Sequence, residues 1–135
     1  MRLLKASILA LLLTLSIAAL SGSAKEWRTD SRGVLLAIAQ APEKARLRQN
    51  PYDGRPDAIV AGAKLYRQHC AECHGPNGWG TDRAANLHAR DVQRATPGEL
   101  EWFLRNGNLV RGMPSWSGLP EQRLWQIVVY LKTLR

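Results

Sequence analysis

Cys70-Ala71-Glu72-Cys73-His74 decides how this 135-residue chain is read. Two thiols stand three residues apart and an imidazole follows directly. Upstream, Asp57 to His69 has a helical pattern. Ile59, Leu65 and Tyr66 recur near helical spacing, and Pro56 fits the first turn, where its missing N–H is not needed. Downstream, Gly75, Pro76, Asn77, Gly78 and Gly80 break any period and predict a loop. The pentapeptide therefore closes a helix and opens a loop. Two cysteines so spaced can each add to one vinyl group on the same edge of a porphyrin. The adjacent histidine then lies under the ring with a nitrogen for iron. C-x-x-C-H is the attachment signal of a c-type haem.

Three rival readings fit less well. A thioredoxin-like C-x-x-C wants a strand before it and a helix after it. A structural zinc site wants four ligands, usually from two such clusters, and only Cys70, Cys73, His69, His74 and His88 are at hand. A disulfide between Cys70 and Cys73 would close a very small strained loop and leave His74 unexplained. The motif thus predicts one haem c, bonded through Cys70 and Cys73, with His74 as proximal iron ligand.

Elimination points to the second ligand. The chain has two methionines, and Met1 heads a segment expected to be removed. Met113 stands 39 residues after His74, in Arg111-Gly112-Met113-Pro114-Ser115-Trp116. A methionine that only fills a core more often sits on a helix stripe; one held between Gly and Pro suits a distal iron ligand. His69 is tied to the backbone beside Cys70 and is poorly placed for the far face. His88 remains an alternative, and both histidines otherwise read as exposed polar groups. Trp79 and Trp116 flank the two ligand loops, and each can line the group or bond a propionate through its indole N–H.

The N-terminus reads as a targeting segment. Arg2 and Lys5 precede an apolar run of 15 residues, Ala6 to Leu20, and Gly22-Ser23-Ala24 supplies small residues for cleavage after Ala24. The run falls short of the about 20 residues of a spanning helix; an uncleaved anchor is the alternative. Export implies a periplasmic, oxidising setting. Three divisions follow: a signal peptide at 1–24, an N-terminal extension at 25–56 and a main domain at 57–135. The mature chain carries 17 basic and 11 acidic residues, a net +6. The extension has one short apolar run, Val34 to Ala41, a possible continuation from Glu43 to Arg48, and a turn-rich stretch from Asn50 to Pro56. It either lies against a core or serves as a docking arm.

Within the main domain, Thr96-Pro97-Gly98-Glu99 predicts a capped helix start. Leu100, Phe103 and Leu104 follow as its apolar face, and Gly107 is its stop. A last helix begins near Pro120-Glu121 and is expected to run to the C-terminus, with Leu124, Ile127, Val128 and Leu131 as its stripe. Residues 75–95 and 108–118 read as loop. No segment alternates with period two, so strands are not expected. The expectation is an all-α domain of three to four short helices joined by long loops. Loops beyond about 12–15 residues are uncommon unless something organises them. An enclosed haem would, since apolar burial contributes about 25 cal/mol per Å².

The ordered set Gly62 and Tyr66, Cys70 to Gly75, Gly112 to Trp116, and Trp125 to Leu131 resembles a small bacterial class I cytochrome c. The resemblance covers roughly residues 57–134. It implies crossed N- and C-terminal helices, with Gly62 and Tyr66 meeting Tyr130 or Trp125, and His74 and Met113 as iron ligands. The family often has Pro before Asn-Leu in the loop after the motif; here Ala85 precedes Asn86-Leu87, which leaves open the carbonyl that holds His74. The extension, with Asn50-Pro51-Tyr52, also resembles cytochromes found with quinoprotein alcohol dehydrogenases.

The composition, 45% hydrophobic and 22% charged with two cysteines, excludes a disulfide scaffold and wholesale disorder. A mean hydropathy of −0.27 excludes a polytopic membrane protein. His/Met ligation favours ferrous iron and raises the potential. With both axial positions filled and no general acid–base cluster, electron transfer is expected rather than enzymatic catalysis. The expected role is a periplasmic carrier between a dehydrogenase and an oxidase or reductase. A haem subunit of a dehydrogenase complex, and an enzyme or gas sensor with a displaceable ligand, are the alternatives. The basic balance suits acidic redox partners. Nucleic acid does not suit an exported haem protein, and Arg46, Arg48, Arg55, Arg83, Arg90 and Arg94 are scattered as on a solvated face.

Overall fold

A computed structural model describes residues 31–134 of the chain. The expected leader at 1–24 and the first residues of the extension lie outside the described residues. The helices are α1 (Ser31–Ile38), α2 (Glu43–Arg46), α3 (Pro56–His69), α4 (Ala71–His74), α5 (Arg90–Arg94), α6 (Pro97–Asn106) and α7 (Glu121–Leu131), with a 3₁₀ turn at Leu109–Arg111. The described residues contain no strand, only an isolated bridge between Asn108 and Met113. None of their helices is long and apolar enough to cross a membrane.

Helices α3 and α7 cross at Gly62. A Cβ added there would lie 1.9 Å from the Gln126 carbonyl oxygen and 2.8 Å from Tyr130 Cβ. The two backbones therefore meet with no side chain between them. One turn on, Tyr66 is fully buried and its ring centroid is 5.3 Å from that of Tyr130, tilted by 49°. Of the two aromatics expected at the crossing, Tyr130 is the one that meets Tyr66. Trp125 is also buried, and its carbonyl accepts a bond of 2.9 Å from Asn50 Nδ2.

Helix α6 begins as its sequence predicts. Thr96 Oγ1 accepts from the Glu99 N–H, and Glu99 returns a carboxylate oxygen to the Thr96 N–H, completing a capping box. Gly107 ends the helix with φ +69°, a conformation open to glycine. Leu100 and Leu104 of α6 join Leu124, Ile127, Val128 and Leu131 of α7 in one core, as their spacing implies.

Three expectations need correction. Seven α-helices replace the three or four expected among the described residues. The unforeseen ones are short: α4 has four residues and α5 has five, too few to show a 3.6-residue period, while α2 forms within the Glu43–Arg48 stretch where a continuation was expected. Helix α5 lies in the stretch read as continuous loop, where Val92 is its buried residue. The last helix stops at Leu131. Lys132 takes the C-cap, and its ammonium bonds the Ala95 carbonyl at 2.9 Å.

The scattered arginines are not all solvated. Arg48 is a clamp rather than a solvated charge. It bonds Glu101 Oε2 at 2.8 Å, pairs with Glu121, and lies 4.9 Å from the Trp125 ring centroid. Glu101 is 1% exposed and also pairs with Arg105. A buried charge stripped of its partners costs about 3–5 kcal/mol, so the two half-exposed arginines hold the buried Glu101 carboxylate in place. Arg55 with Asp57 and Arg83 with Glu72 are exposed pairs of the weak kind. Arg48 and Asn50 fasten the 31–56 segment to α6 and α7, and Ile38 of α1 enters the core. Of the two roles open to the extension, the described part lies against the core.

Gly62→Ala tests the crossing. Overpacking costs about 1–3 kcal/mol and exceeds the about 1 kcal/mol of helix propensity that alanine adds. The expected outcome is a lower urea midpoint for the holoprotein. An unchanged midpoint would show that the helices separate freely.

Candidate functional site

A cavity of ≈ 280 Å³ opens between the C-terminal end of α3, the face of α6 and two loops. Its walls are largely apolar: Leu100, Phe103, Leu104, Leu87, Val92 and Leu131 line it. Several residues read from sequence as ordinary core therefore serve two surfaces. Cys70, Cys73, His74 and Met113 all line this same cavity, although Met113 is far from the others in sequence.

The cysteines are placed by helix ends. Cys70 is the C-cap of α3, where its N–H bonds the Tyr66 carbonyl at 2.8 Å, and it also starts α4. The single turn Ala71–His74 turns Cys73 and His74 toward the cavity wall that Cys70 begins. Both thiols are free and half-buried. Burial, with Cys73 beside it, pushes the Cys70 thiol up to about 12, so it is protonated at neutral pH.

His74 is held by its other nitrogen. Nδ1 lies 2.8 Å from the Ala85 carbonyl oxygen. As a donor, Nδ1–H fixes the tautomer and leaves Nε2 with its lone pair. Burial pushes the imidazole below its ordinary value, with the Ala85 carbonyl acting the other way. The ring is therefore neutral at pH 7, as a metal ligand must be. The carbonyl left open by the departure at Ala85 is that of Ala85 itself.

Gly80, read from sequence only as a loop residue, makes that contact possible. Its φ is +82°, and a Cβ there would lie 2.8 Å from the Asn86 nitrogen and 3.0 Å from the Ala84 oxygen. The loop can fold back over residue 80 only without a side chain. The Gly80 N–H bonds the His74 carbonyl at 2.9 Å, and the Leu87 N–H bonds the Gly78 carbonyl at 2.7 Å. Tyr66 is a second residue with an unforeseen role. Its hydroxyl donates to the Gly75 carbonyl at 2.6 Å in a buried setting. Burial, then the nearby Cys70 and Tyr130, pushes the phenol up to about 12, which keeps it a donor.

Met113 sits at the neck of a small closed loop. The Asn108 N–H bonds the Met113 carbonyl at 2.8 Å, and the Met113 N–H returns to Asn108 at 3.0 Å. The 3₁₀ turn Leu109–Arg111 and a left-handed Gly112 (φ +83°) complete it. Behind the neck, the Trp116 N–H bonds the Leu104 carbonyl at 3.0 Å. Trp116 lines the cavity, with its ring centroid 5.2 Å from that of His69.

Trp79 and His88 behave differently from expectation. Trp79 is 65% exposed and is not among the cavity-lining residues. It stacks on His88 at 3.8 Å and 6°. His88 Nε2 lies 2.8 Å from the Asn77 carbonyl and is committed there. His69, read from sequence as an exposed polar group, is half-buried and also lines the cavity. An apolar cavity lined by two thiols, one thioether and two imidazoles, of which His74 has its Nδ1 already bonded, fits a covalently held haem.

The family model described as cytochrome C oxidase, cbb3-type, subunit III matches residues 57–131. Neither the curated proteins nor the solved structures give a match. The matched stretch runs from the start of α3 to the end of α7 and contains Cys70, Cys73, His74 and Met113.

Tyr66→Phe removes the donor and leaves the buried Gly75 carbonyl with the Gly78 N–H at 3.2 Å, so the loss is that of one hydrogen bond, about 0.5–1.5 kcal/mol. The expected outcome is a lowered denaturation midpoint together with faster amide exchange at Gly78 and Gly80. Loss at neither would detach Tyr66 from the loop.

Proposed function

The chain belongs to the family described as cytochrome C oxidase, cbb3-type, subunit III, a class I cytochrome c domain whose role is electron carriage on haem c, and we propose that it works as a periplasmic, one-haem carrier with His74 and Met113 as iron ligands. Cys70 and Cys73 hold the group by thioethers. When bound, such a group passes one electron at a time between ferric and ferrous iron. The chain's own residues do the rest. His74 keeps its proton at Nδ1 on the Ala85 carbonyl and presents Nε2. Leu100, Phe103, Leu104 and Leu131 exclude water from the cleft. Low exposure limits the solvent rearrangement that accompanies a change of charge.

The observation that carries this reading is the meeting of His74 and Met113 in one cavity from two separately braced loops. A thioether at the sixth position leaves no site for a substrate on iron, which favours a carrier over an enzyme or a gas sensor. The donor class is a dehydrogenase and the acceptor an oxidase or reductase, with acidic docking surfaces that complement the net positive chain. A second reading, a haem subunit within a larger assembly, is supported by the family's description as an oxidase subunit.

Met113→Ala tests the ligand. The expected parent is low-spin, with a weak thioether band at the red end of the oxidised spectrum, and the variant loses that band and binds carbon monoxide when reduced. A parent without the band would overturn the assignment. Reduction by an acidic donor protein should slow with salt, as the screening length falls from about 30 Å at 0.01 M to about 8 Å at 0.15 M. A rate indifferent to salt would remove the acidic-partner proposal.

A further inference from the structure

Helix α1 lies outside the stretch that the family model matches, yet it lines the cavity. Val34 and Ile38 are one turn apart on a single face, and both contribute to the wall. Ile38 is 3% exposed and joins the core with Val92, Leu100 and Leu104. Leu35 and Leu36 point the other way, 42% and 67% exposed. The inward face of α1 is thus fixed by packing.

Gly33 ties this helix to the methionine loop. It is buried, and a Cβ placed on it would lie 1.8 Å from Arg111 Nη1 and 2.0 Å from Arg111 Cζ. The guanidinium therefore rests directly on the α1 backbone. Glycine within a helix costs about 1 kcal/mol relative to alanine, and the close seat of Arg111 is a reason for it here. Arg111 ends the 3₁₀ turn two residues before Met113, inside the loop closed by Asn108 and Met113. Asn108 and Arg111 line the cavity as well. A movement of this loop that withdraws the Met113 thioether would also displace Arg111 from Gly33.

We infer that α1 is a wall of the haem cleft, and that the seat of Arg111 on Gly33 restrains ligand exchange at the sixth position of the iron. The inference rests on Met113 being the ligand there. It makes a segment outside the matched domain a positioning element for the Met113 loop.

Gly33→Ala is the sharpest probe. The added methyl group meets only the far end of a flexible side chain, so it displaces the guanidinium and leaves the backbone in place. The full-length holoprotein is compared with its parent by covalent haem content, unfolding temperature, the red-end thioether band and carbon monoxide binding to the reduced form. The expected result is parental haem content, an unfolding temperature no lower than the parent's, a weakened band, and carbon monoxide binding faster by about tenfold, as the open population rises. Arg111→Ala breaks the same contact without adding bulk to α1 and should move both ligand readouts in the same direction. The double variant should be no more open than Arg111→Ala, because Gly33→Ala then has no guanidinium to displace. Parental carbon monoxide binding in both single variants, with the band present in the parent, overturns the inference and leaves Met113 as ligand. A parent that lacks the band and binds carbon monoxide freely overturns both.

Discussion

The absence of a side chain at Gly62 sets how closely α3 and α7 approach, and the cavity depends on that distance. With the Gln126 carbonyl where a Cβ would be, the two helices cross backbone to backbone. Tyr66 then falls against Tyr130 and is sealed from water. A sealed phenol needs an acceptor, and the Gly75 carbonyl supplies it. Through that bond the start of the loop after the C-x-x-C-H motif is placed by a helix crossing that lies outside the loop. The end of α3 also fixes Cys70, and through it the single turn that carries Cys73 and His74.

The loops that carry His74 and Met113, the proposed ligands, solve the same problem by the same physical means. Each must bring a polar backbone close to an apolar space without leaving its own N–H and C=O groups unpaired. The loop after His74 does so by folding over Gly80, so that the Ala85 carbonyl reaches the imidazole. The Met113 loop does so by closing on itself through Asn108 and using Gly112 in a left-handed conformation. In each case the glycine marks a place where another backbone or a positive φ excludes a side chain. Rigid support of this kind suits electron transfer, where little should move when the charge changes.

The segment before the matched domain is built into the body of the protein. Arg48 spans Glu101 and Glu121 and covers Trp125, while Asn50 bonds the Trp125 carbonyl. Those contacts brace the outer sides of α6 and α7, whose inner sides form the cavity. Farther upstream, α1 contributes Val34 and Ile38 to the cavity itself. The described part of the extension therefore supports the site from behind and from the front.

Much of this was legible in the residues alone. Cys70, Cys73 and His74 stand out by the spacing that covalent attachment would need and Met113 by elimination, and the fold brings all four to one cavity. The capping box at Thr96 and Glu99 and the apolar stripes of α6 and α7 are local patterns, so they survive folding unchanged. The crossing at Gly62 was visible through resemblance. Tertiary structure decided what depends on distant partners. It chose Tyr130 over Trp125, assigned the His74 bond to Ala85, gave Gly80 and Tyr66 their roles, turned Trp79 and His88 toward each other, and paired Arg48 with the buried Glu101. It also formed the short helices α4 and α5, which have too few residues to show a period. Local chemistry is written in spacing, whereas the partner of a carbonyl, a ring or a buried charge is set only when the chain closes on itself.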